Sequence, residues 1–467
     1  MITERPVKQY ADFLASKARV VERVGFDVGA FGLHSRLFPF QRDIVAWALR
    51  LGRAAIFAGT GLGKTVMQVS WANQVEAHAK KPVLILAPLA VAQQTVREAL
   101  TIRVEVKHVR EASEVGARGI YVTNYDRFER FDPADFAGIV LDESSILKSH
   151  DGKTRTALIE AWQGTRFRLC CTATPAPNDF MELANHAEFL GVMTRSEMLA
   201  TFFVHDGGET QKWRLKGHAQ RDFWKWMASW SVMLTSPRDL GYDGSAYVLP
   251  PLTLREQVVE SAPADAGMLF ATEAQTLQER RAARRGSIGE RVRVIAEIVA
   301  AEPNEPWIVW CDLNDESEAL AKALGAVEVR GSDSNDDKES RLVGFSLGAH
   351  RILVTKASIA GFGMNWQHCA RVAFCGVSDS FEQFYQAIRR CYRFGQTREV
   401  VVHVVTSSAE NAVLQNLKRK ERDAERMVSA MVAEIQLHSD VRARPGAQTV
   451  APAGTFTFPH WLEAGND

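Results

Sequence analysis

A glycine-rich run that begins at Ala58 has the composition and spacing of a phosphate-binding loop. Its sequence is Ala-Gly-Thr-Gly-Leu-Gly-Lys-Thr, and it lies between an apolar strand pattern and a helical pattern. Glycines let backbone N–H groups turn toward phosphate oxygens, a lysine can reach the β- and γ-phosphates, and a threonine hydroxyl can coordinate Mg²⁺. The residues predicted to hold a nucleotide here are Gly59, Thr60, Gly61, Leu62, Gly63, Lys64 and Thr65.

An acidic pair, Asp142-Glu143, follows the apolar run Ile139-Val140-Leu141. An Asp-Glu pair by itself more often caps a helix. Because a phosphate loop precedes it, we expect Asp142 to hold Mg²⁺ through water and Glu143 to orient and deprotonate the attacking water. Together with Lys64, the pair predicts hydrolysis of ATP.

A glutamine, Gln41, precedes the phosphate loop. Its carboxamide can both donate to and accept from an adenine edge, which would select ATP over GTP. A solvated helix side chain is the equally acceptable alternative when this residue is taken alone.

Two series of short apolar runs indicate two α/β lobes. With 467 residues, the chain is too long for one ordinary core. Each series has five strand-like runs separated by helix-length segments, which is typical of parallel βαβ units. The first series is 54–57, 83–86, 119–122, 139–141 and 168–171, and the second is 307–310, 327–329, 351–354, 372–374 and 400–405.

The composition of the chain indicates its cellular environment and restricts how it could bind nucleic acid. No segment reaches the ~18 apolar residues that span a bilayer, and no signal core follows the charged N-terminus, so we expect no membrane role and a cytoplasmic location. Lys plus Arg and Asp plus Glu balance at 56 each, so nucleic acid would have to bind in a local groove. Free core thiols are expected at Cys170, Cys171, Cys311, Cys369, Cys375 and Cys391.

The pattern divides the chain into seven segments. A tryptophan-rich stretch, with Trp213, Trp224, Trp226 and Trp230, could stack on bases, but core packing of a protrusion is favoured. The predicted segments are a helical lead-in (1–34), a first, ATP-binding lobe (35–189), a helical protrusion (190–250), an interlobe linker and helix (251–303), a second lobe (304–407), a C-terminal helix (408–440) and a flexible tail (441–467).

From about residue 35 to about residue 435 the chain resembles superfamily 2 helicases, and within them the Swi/Snf-type double-stranded DNA translocases. The resemblance rests on the motifs above together with Thr172–Asn178, Gly361–Trp366 and Gln386–Gln396, whose ending Arg-x-Gly-Gln is the most subgroup-specific string. It implies two tandem RecA-like P-loop NTPase lobes with a helical insertion between them, and ATP and Mg²⁺ as ligands. The string Asp-Glu-Ser-Ser at 142–145 departs from the usual motif and resembles compact proteins of bacteriophages and prophages, which implies a bacterial or phage-infected host cell.

The resemblance also assigns residues in the second lobe. Arg390 and Arg393 would be arginine fingers that reach the γ-phosphate across the interlobe cleft. Without the rest of the sequence, an arginine-rich helical stretch of this kind more often forms surface ion pairs. Gly363 and Gln386 would belong to the nucleotide site.

Nucleic-acid contacts follow from the same resemblance. One strand's phosphates would lie across both lobes, so binding should be largely independent of base sequence and sensitive to salt. A basic run at 280–285 could line this groove or form a solvated helix face. The matching positions are Pro88, Leu89, Thr123, Asn124, Tyr125, Asn178, Thr355, Lys356 and Ser358.

The predicted function is an ATP-dependent, monomeric motor that moves along duplex DNA, with a protein partner as one source of targeting. Two alternatives stay open: a strand-separating DNA or RNA helicase of the same superfamily, and an ATP-switched motor subunit of a nuclease or replication complex.

Overall fold

A computed structural model of the chain describes residues 23–29, 32–148, 152–176, 179–205, 213–260, 284–360, 365–378, 380–438 and 441. The predicted lead-in (1–34) and tail (441–467) lie largely outside these residues. Within them, none of the helices has both the length and the apolar character needed to cross a bilayer.

The first lobe is built on a sheet in which every strand pairing is parallel. Its strands, numbered along the chain, lie in the order β3-β4-β2-β5-β6-β1-β9. One strand therefore separates the strand before the phosphate loop from the strand that ends at Asp142. The elements are α1 (Pro39–Leu51), β1 (Arg53–Ala58), α2 (Lys64–Ala79), β2 (Val83–Ala87), α3 (Leu89–Thr101), β3 (Val106–His108), β4 (Ile120–Asn124), β5 (Gly138–Asp142), α4 (Lys153–Trp162), β6 (Phe167–Thr172), α5 (Leu183–Leu190), α6 (Arg195–Phe202), β7 (Phe203–His205), β8 (Trp213–Leu215), α7 (Gln220–Trp230) and β9 (Ser231–Leu234).

The second lobe repeats the same architecture. Its sheet is also parallel throughout, in the order β10-β15-β14-β11-β13-β12. The elements are β10 (Leu252–Val259), α8 (Ile288–Ala301), β11 (Trp307–Cys311), α9 (Asn314–Leu324), β12 (Val327–Val329), α10 (Asn335–Ser346), β13 (Ile352–Lys356), α11 (Ala357–Ala360), β14 (Arg371–Cys375), α12 (Phe381–Ile388), β15 (Val400–Ser407) and α13 (Asn411–His438). The predicted fold class, two tandem RecA-like lobes, is confirmed.

The segment between the lobes differs from the expected helical protrusion and linker. It contains α6, an antiparallel pair formed by β7 and β8, and α7, but β9 then returns to the first sheet as an edge strand beside β1. After it, β10 joins the second sheet along the whole of β15. The first sheet therefore extends to Leu234 and the second begins at Leu252, because these two strands complete the edges of their sheets.

Tryptophans of this segment pack in the core, as expected. Trp224, Trp226 and Trp230 are buried, and the rings of Trp226 and Trp230 meet edge to face at 5.4 Å. The favoured interpretation of the tryptophan-rich stretch is thus confirmed for these three. All six cysteines are buried and free, which confirms the prediction of core thiols.

The C-terminal helix α13 connects the lobes. Its first turns place Val413 and Leu417 in the core of the second lobe. Further along, Met427 and Met431 enter the core of the first lobe, where the helix packs on α7 and β9. One long helix therefore limits how far the two lobes can separate.

Candidate active site

The phosphate loop connects β1 to α2 through two glycines with left-handed backbones. Gly61 has φ +90° and Gly63 has φ +79°, a region that side-chain-bearing residues rarely adopt. A Cβ on Gly61 would lie 2.7 Å from the backbone nitrogen of Phe394 in the second lobe, so this glycine also permits a close approach between the lobes. The loop therefore lies against the second lobe.

Lys64 is the first residue of α2. Its Nζ donates to the carbonyl of Ala58 at 2.9 Å. Burial lowers the pKa of Lys64, while the nearby charges of Glu143 and Asp142 raise it. The ammonium group thus lies in a buried pocket next to the acidic pair, as the sequence predicted.

Gln41 forms hydrogen bonds to the phosphate loop and to the start of α1. Its Nε2 donates to the carbonyl of Leu62 at 2.9 Å, and its Oε1 accepts from the backbone N–H of Phe38 at 2.9 Å. The side chain is buried, and a Cβ on Gly63 would lie 2.3 Å from its Nε2. The predicted adenine contact is untested, but the amide has a structural task that the sequence did not reveal.

The acidic pair ends β5 in an abrupt turn. Asp142 is buried, and burial, followed by the charge of Glu143, raises its pKa to about 7. Glu143 has φ +54°, a strained conformation for a residue with a side chain, of the kind that surrounding contacts must maintain. Two such contacts are the bond from Tyr125 Oη to the carbonyl of Asp142 (2.7 Å) and that from the Ile146 N–H to the carbonyl of Glu143 (3.2 Å).

Glu143 is connected to the end of the neighbouring strand. The hydroxyl of Thr172 donates to Glu143 Oε2 at 3.2 Å and accepts from the N–H of Thr174 at 3.1 Å. Thr172 is fully buried, whereas Glu143 is partly exposed. The motif at 172–178 therefore positions the proposed general base directly.

The second lobe brings both predicted arginines to the same cleft. Burial lowers the pKa of Arg390 to about 10, with a further lowering by Arg393, and burial also lowers the pKa of Arg393. The charge of Glu143 opposes the lowering at both arginines, and it does the same at Lys64. All three cations thus lie near one carboxylate, although they come from two lobes.

Neighbouring side chains fix the arginines. Arg390 donates through Nη2 to Gln386 Oε1 at 3.1 Å and through Nε to the Gln386 carbonyl at 3.2 Å. Arg393 donates to Asn365 Oδ1. Gln396 secures the loop beyond them, because its Nε2 donates to the carbonyls of Gln367 (2.9 Å) and Cys391 (3.2 Å). The subgroup-specific string therefore has a physical role in holding the arginines in place.

Several buried polar atoms of this cleft have no hydrogen-bond partner among the described residues: Thr60 Oγ1, Gln386 Nε2 and Arg393 Nε. Such unpaired groups are costly in a folded protein unless a ligand satisfies them. Donors from both lobes around Lys64 suit a polyanion such as a triphosphate. Gly363, also predicted for this site, lies outside the described residues.

The predicted nucleic-acid positions lie at carboxyl ends of strands. Pro88 and Leu89 follow β2, Thr123 and Asn124 end β4, and Thr355 and Lys356 end β13. Asn178 lies outside the described residues, and Ser358 is exposed in α11. These positions remain predictions.

Two predicted hydroxyls already bond within the protein. Tyr125 donates to the carbonyl of Asp142, and Thr355 Oγ1 donates to the carbonyl of Val329 at 3.0 Å. Phosphate contacts at these positions would therefore come from backbone amides rather than from the side-chain hydroxyls.

The described part of the basic run at 280–285 fits neither expectation fully. Arg284 is buried and pairs with Glu410 and with Asp312 (2.7 Å). Arg285 is exposed, 3.8 Å from Asp315. Arg284 thus stabilises the second lobe, and residues 280–283 lie outside the described part of the chain.

The turn at Ser144–Lys148, which follows Glu143, is supported by side chains that the sequence did not reveal. His186 Nε2 lies 3.1 Å from Ser144 Oγ, and Asn185 Nδ2 donates to the carbonyl of Leu147 at 2.6 Å. From the second lobe, Glu382 contacts the same turn. No spacing or motif in the sequence connects Asn185 and His186 with this turn.

The fold and this site define a two-lobed P-loop ATPase. Residues 40–204 match the family model of the SNF2-related domain, and residues 290–395 match that of the helicase conserved C-terminal domain. The chain is thus an ATP hydrolase of the helicase type that acts on nucleic acid, an ATP-dependent motor.

Comparison with solved structures finds the Sulfolobus solfataricus SWI2/SNF2 ATPase core in complex with dsDNA. It is 18% identical, with a TM-score of 0.40, over 87% of this chain and 96% of that one. No curated protein matches the chain.

Proposed function

We propose that this chain is a translocase of double-stranded DNA, which couples ATP hydrolysis to movement along the duplex without separating its strands. The SNF2-related match over residues 40–204 carries this proposal, and the Arg-x-Gly-Gln string held by Gln396 supports it. The phage-type branch is part of the same proposal, on the strength of the Asp-Glu-Ser-Ser sequence.

Each residue of the cleft has a distinct part in hydrolysis. Lys64 and the loop amides bind the β- and γ-phosphates, while Glu143, held by Thr172, takes the proton of the attacking water. Arg390 and Arg393 stabilise the charge that develops on the transferred phosphoryl group, an effect worth about 10³- to 10⁵-fold in rate.

The donor set fits a magnesium ion. Asp142 and Thr65 would supply oxygen donors, which Mg²⁺ prefers, and the carboxylate of Asp142 is buried, with a pKa that burial and the charge of Glu143 raise. When bound there, the ion neutralises charge on the phosphate oxygens.

Duplex DNA would lie across the carboxyl ends of the strands in both lobes. Pro88 and Leu89, Thr123 and Asn124, and Lys356 occupy those ends, where backbone amides can contact phosphates. ATP closes the lobes and hydrolysis opens them, so alternating grip on the backbone advances the motor.

The test is a steady-state ATPase assay without nucleic acid and with single-stranded DNA, duplex DNA or RNA. Duplex DNA should stimulate most, Lys64→Ala and Glu143→Gln should abolish turnover, and Glu143→Gln should still bind ATP. Displacement of a triplex-forming strand, without unwinding of a forked duplex, should accompany hydrolysis.

Other outcomes would select the alternatives. Unwinding of the forked duplex by the pure protein would indicate a strand-separating helicase. Absence of nucleic-acid stimulation in the isolated chain would indicate a motor subunit that requires its complex.

A further inference from the structure

One buried carboxylate of the second lobe forms hydrogen bonds to the first lobe. Glu382 lies in the first turn of α12 and is only 4% exposed. One of its oxygens accepts from Ser145 Oγ and the other accepts from Lys148 Nζ, and both donors belong to the first lobe. Both oxygens of this buried carboxylate therefore have partners across the interlobe boundary.

The first-lobe side of this contact is held by hydrogen bonds and adjoins the proposed general base. Ser145 and Lys148 belong to the turn that begins directly after Glu143. Asn185 and His186 hold that turn from α5. A force on the turn would therefore reach Glu143 with little intervening flexibility.

Within the second lobe, the connection from Glu382 to Arg390 is also short. Glu382 and Gln386 lie four residues apart on α12, one helical turn, and Gln386 binds Arg390 through both its side chain and its carbonyl. Because Arg390 lies just beyond this short helix and is bonded back to Gln386, the contact of Glu382 with Ser145 also places Arg390 near the cleft.

We propose that Glu382 is a positioning residue: with Ser145 and Lys148 it forms a latch that holds the second lobe against the turn after Glu143 and thereby keeps Arg390 and Arg393 at the nucleotide. This inference rests on the ATPase activity and deepens it by naming how closure is held. Since Lys148 is 39% exposed, opening of the lobes lets water solvate both charges, which suits a reversible contact.

The latch predicts a separation of ATP binding from turnover. Glu382→Gln and Lys148→Met should each lower the DNA-stimulated kcat about 10-fold, comparable to the coupling of a close charge pair. Affinity for ATP, which the first lobe supplies, should change less than about 2-fold. The double variant should be no slower than either single one, because the same contact is lost.

A charge exchange provides the rescue. Lys148→Glu and Glu382→Lys should each be slow, and their combination should recover most of the lost kcat. The matched control is Glu256→Gln, which removes the ion pair with Lys418 within the second lobe and should leave kcat unchanged.

Lobe closure can be measured directly by fluorescence transfer. All six native cysteines are buried, so dyes can be attached to Glu160→Cys and Glu318→Cys on exposed sites of the two lobes. A non-hydrolysable ATP analogue should increase transfer in the parent protein and increase it less after Glu382→Gln.

Additive single effects, failure of the charge exchange, or wild-type closure in Glu382→Gln would overturn the latch. A loss of thermal stability in Glu382→Gln with unchanged kcat would also overturn it and leave a merely structural ion pair. Lack of DNA stimulation in the parent protein would instead count against the proposed function, and the closure measurement would still decide the latch.

Discussion

Acid should loosen the turn that follows Glu143, the proposed general base, and His186 is the group responsible. This histidine is fully buried, donates or accepts at Ser144 Oγ, and packs edge to face on Phe57 with the ring centroids 5.3 Å apart. Burial lowers its pKa from 6.5 to about 4. The neutral ring is therefore built into the folded protein.

The sign and size of the effect on stability follow from the linkage between protonation of His186 and folding. The unfolded chain takes up a proton at this ring near pH 6.5, whereas the folded protein resists protonation until about pH 4. The contribution to stability is thus complete above pH 6.5 and is lost as the pH falls toward 4. The loss amounts to roughly 3 kcal/mol, since each pH unit of difference corresponds to about 1.4 kcal/mol.

Urea unfolding of the nucleotide-free protein between pH 7 and pH 4 measures the contribution of His186 to the free energy of unfolding. His186→Gln keeps a nitrogen near Ser144 but has no group that titrates at this position. Between pH 7 and pH 4, the free energy of unfolding of this variant should therefore decrease by roughly 3 kcal/mol less than that of the parent protein. The control His218→Gln, at an exposed site, should follow the parent protein. Parallel curves for His186→Gln and the parent would refute the reasoning.

Three further predictions concern the packing of the two lobes. Gln41→Ala leaves a loop carbonyl and a backbone N–H unpaired, so urea unfolding should show a loss of about 2 kcal/mol. Met431→Asp places a charge in the first-lobe core, and limited proteolysis should then cut α13 faster. Arg291→Met removes the buried cation 2.8 Å from the carboxylate of Glu316 and should cost about 3–5 kcal/mol. Glu316→Gln should restore most of this loss, because its amide oxygen can still accept from the N–H groups of Asp312 and Leu313; no recovery would contradict this.

The sequence was informative where chemistry is local. The phosphate loop carries its glycines, Lys64 and strand context within one short segment, and the acidic pair ends a recognisable buried strand. These features are fixed by neighbouring residues, so composition and spacing sufficed to predict them.

Contacts between distant segments could not be predicted in the same way. β9 is a four-residue run whose partner β1 lies far earlier in the chain, so only the tertiary fold identifies it as an edge strand. The amphipathic pattern of α13 predicts a helix, but not that its two ends enter different cores.

The site shows the same division. A glutamine before the loop suggests a base contact, yet the bonds of Gln41 to Leu62 and Phe38 depend on where α1 meets the loop. Glu382 looks like an ordinary surface residue in sequence, because its partners belong to the other lobe.

A structure of the protein with Mg²⁺, ADP and aluminium fluoride would test most directly whether two lobes form one catalytic site. The account predicts Lys64 and Glu143 from the first lobe, and a guanidinium of Arg390 or Arg393 from the second, within hydrogen-bond distance of the fluoride or its attacking water. Closed lobes with both arginines directed away from the bound nucleotide would contradict it.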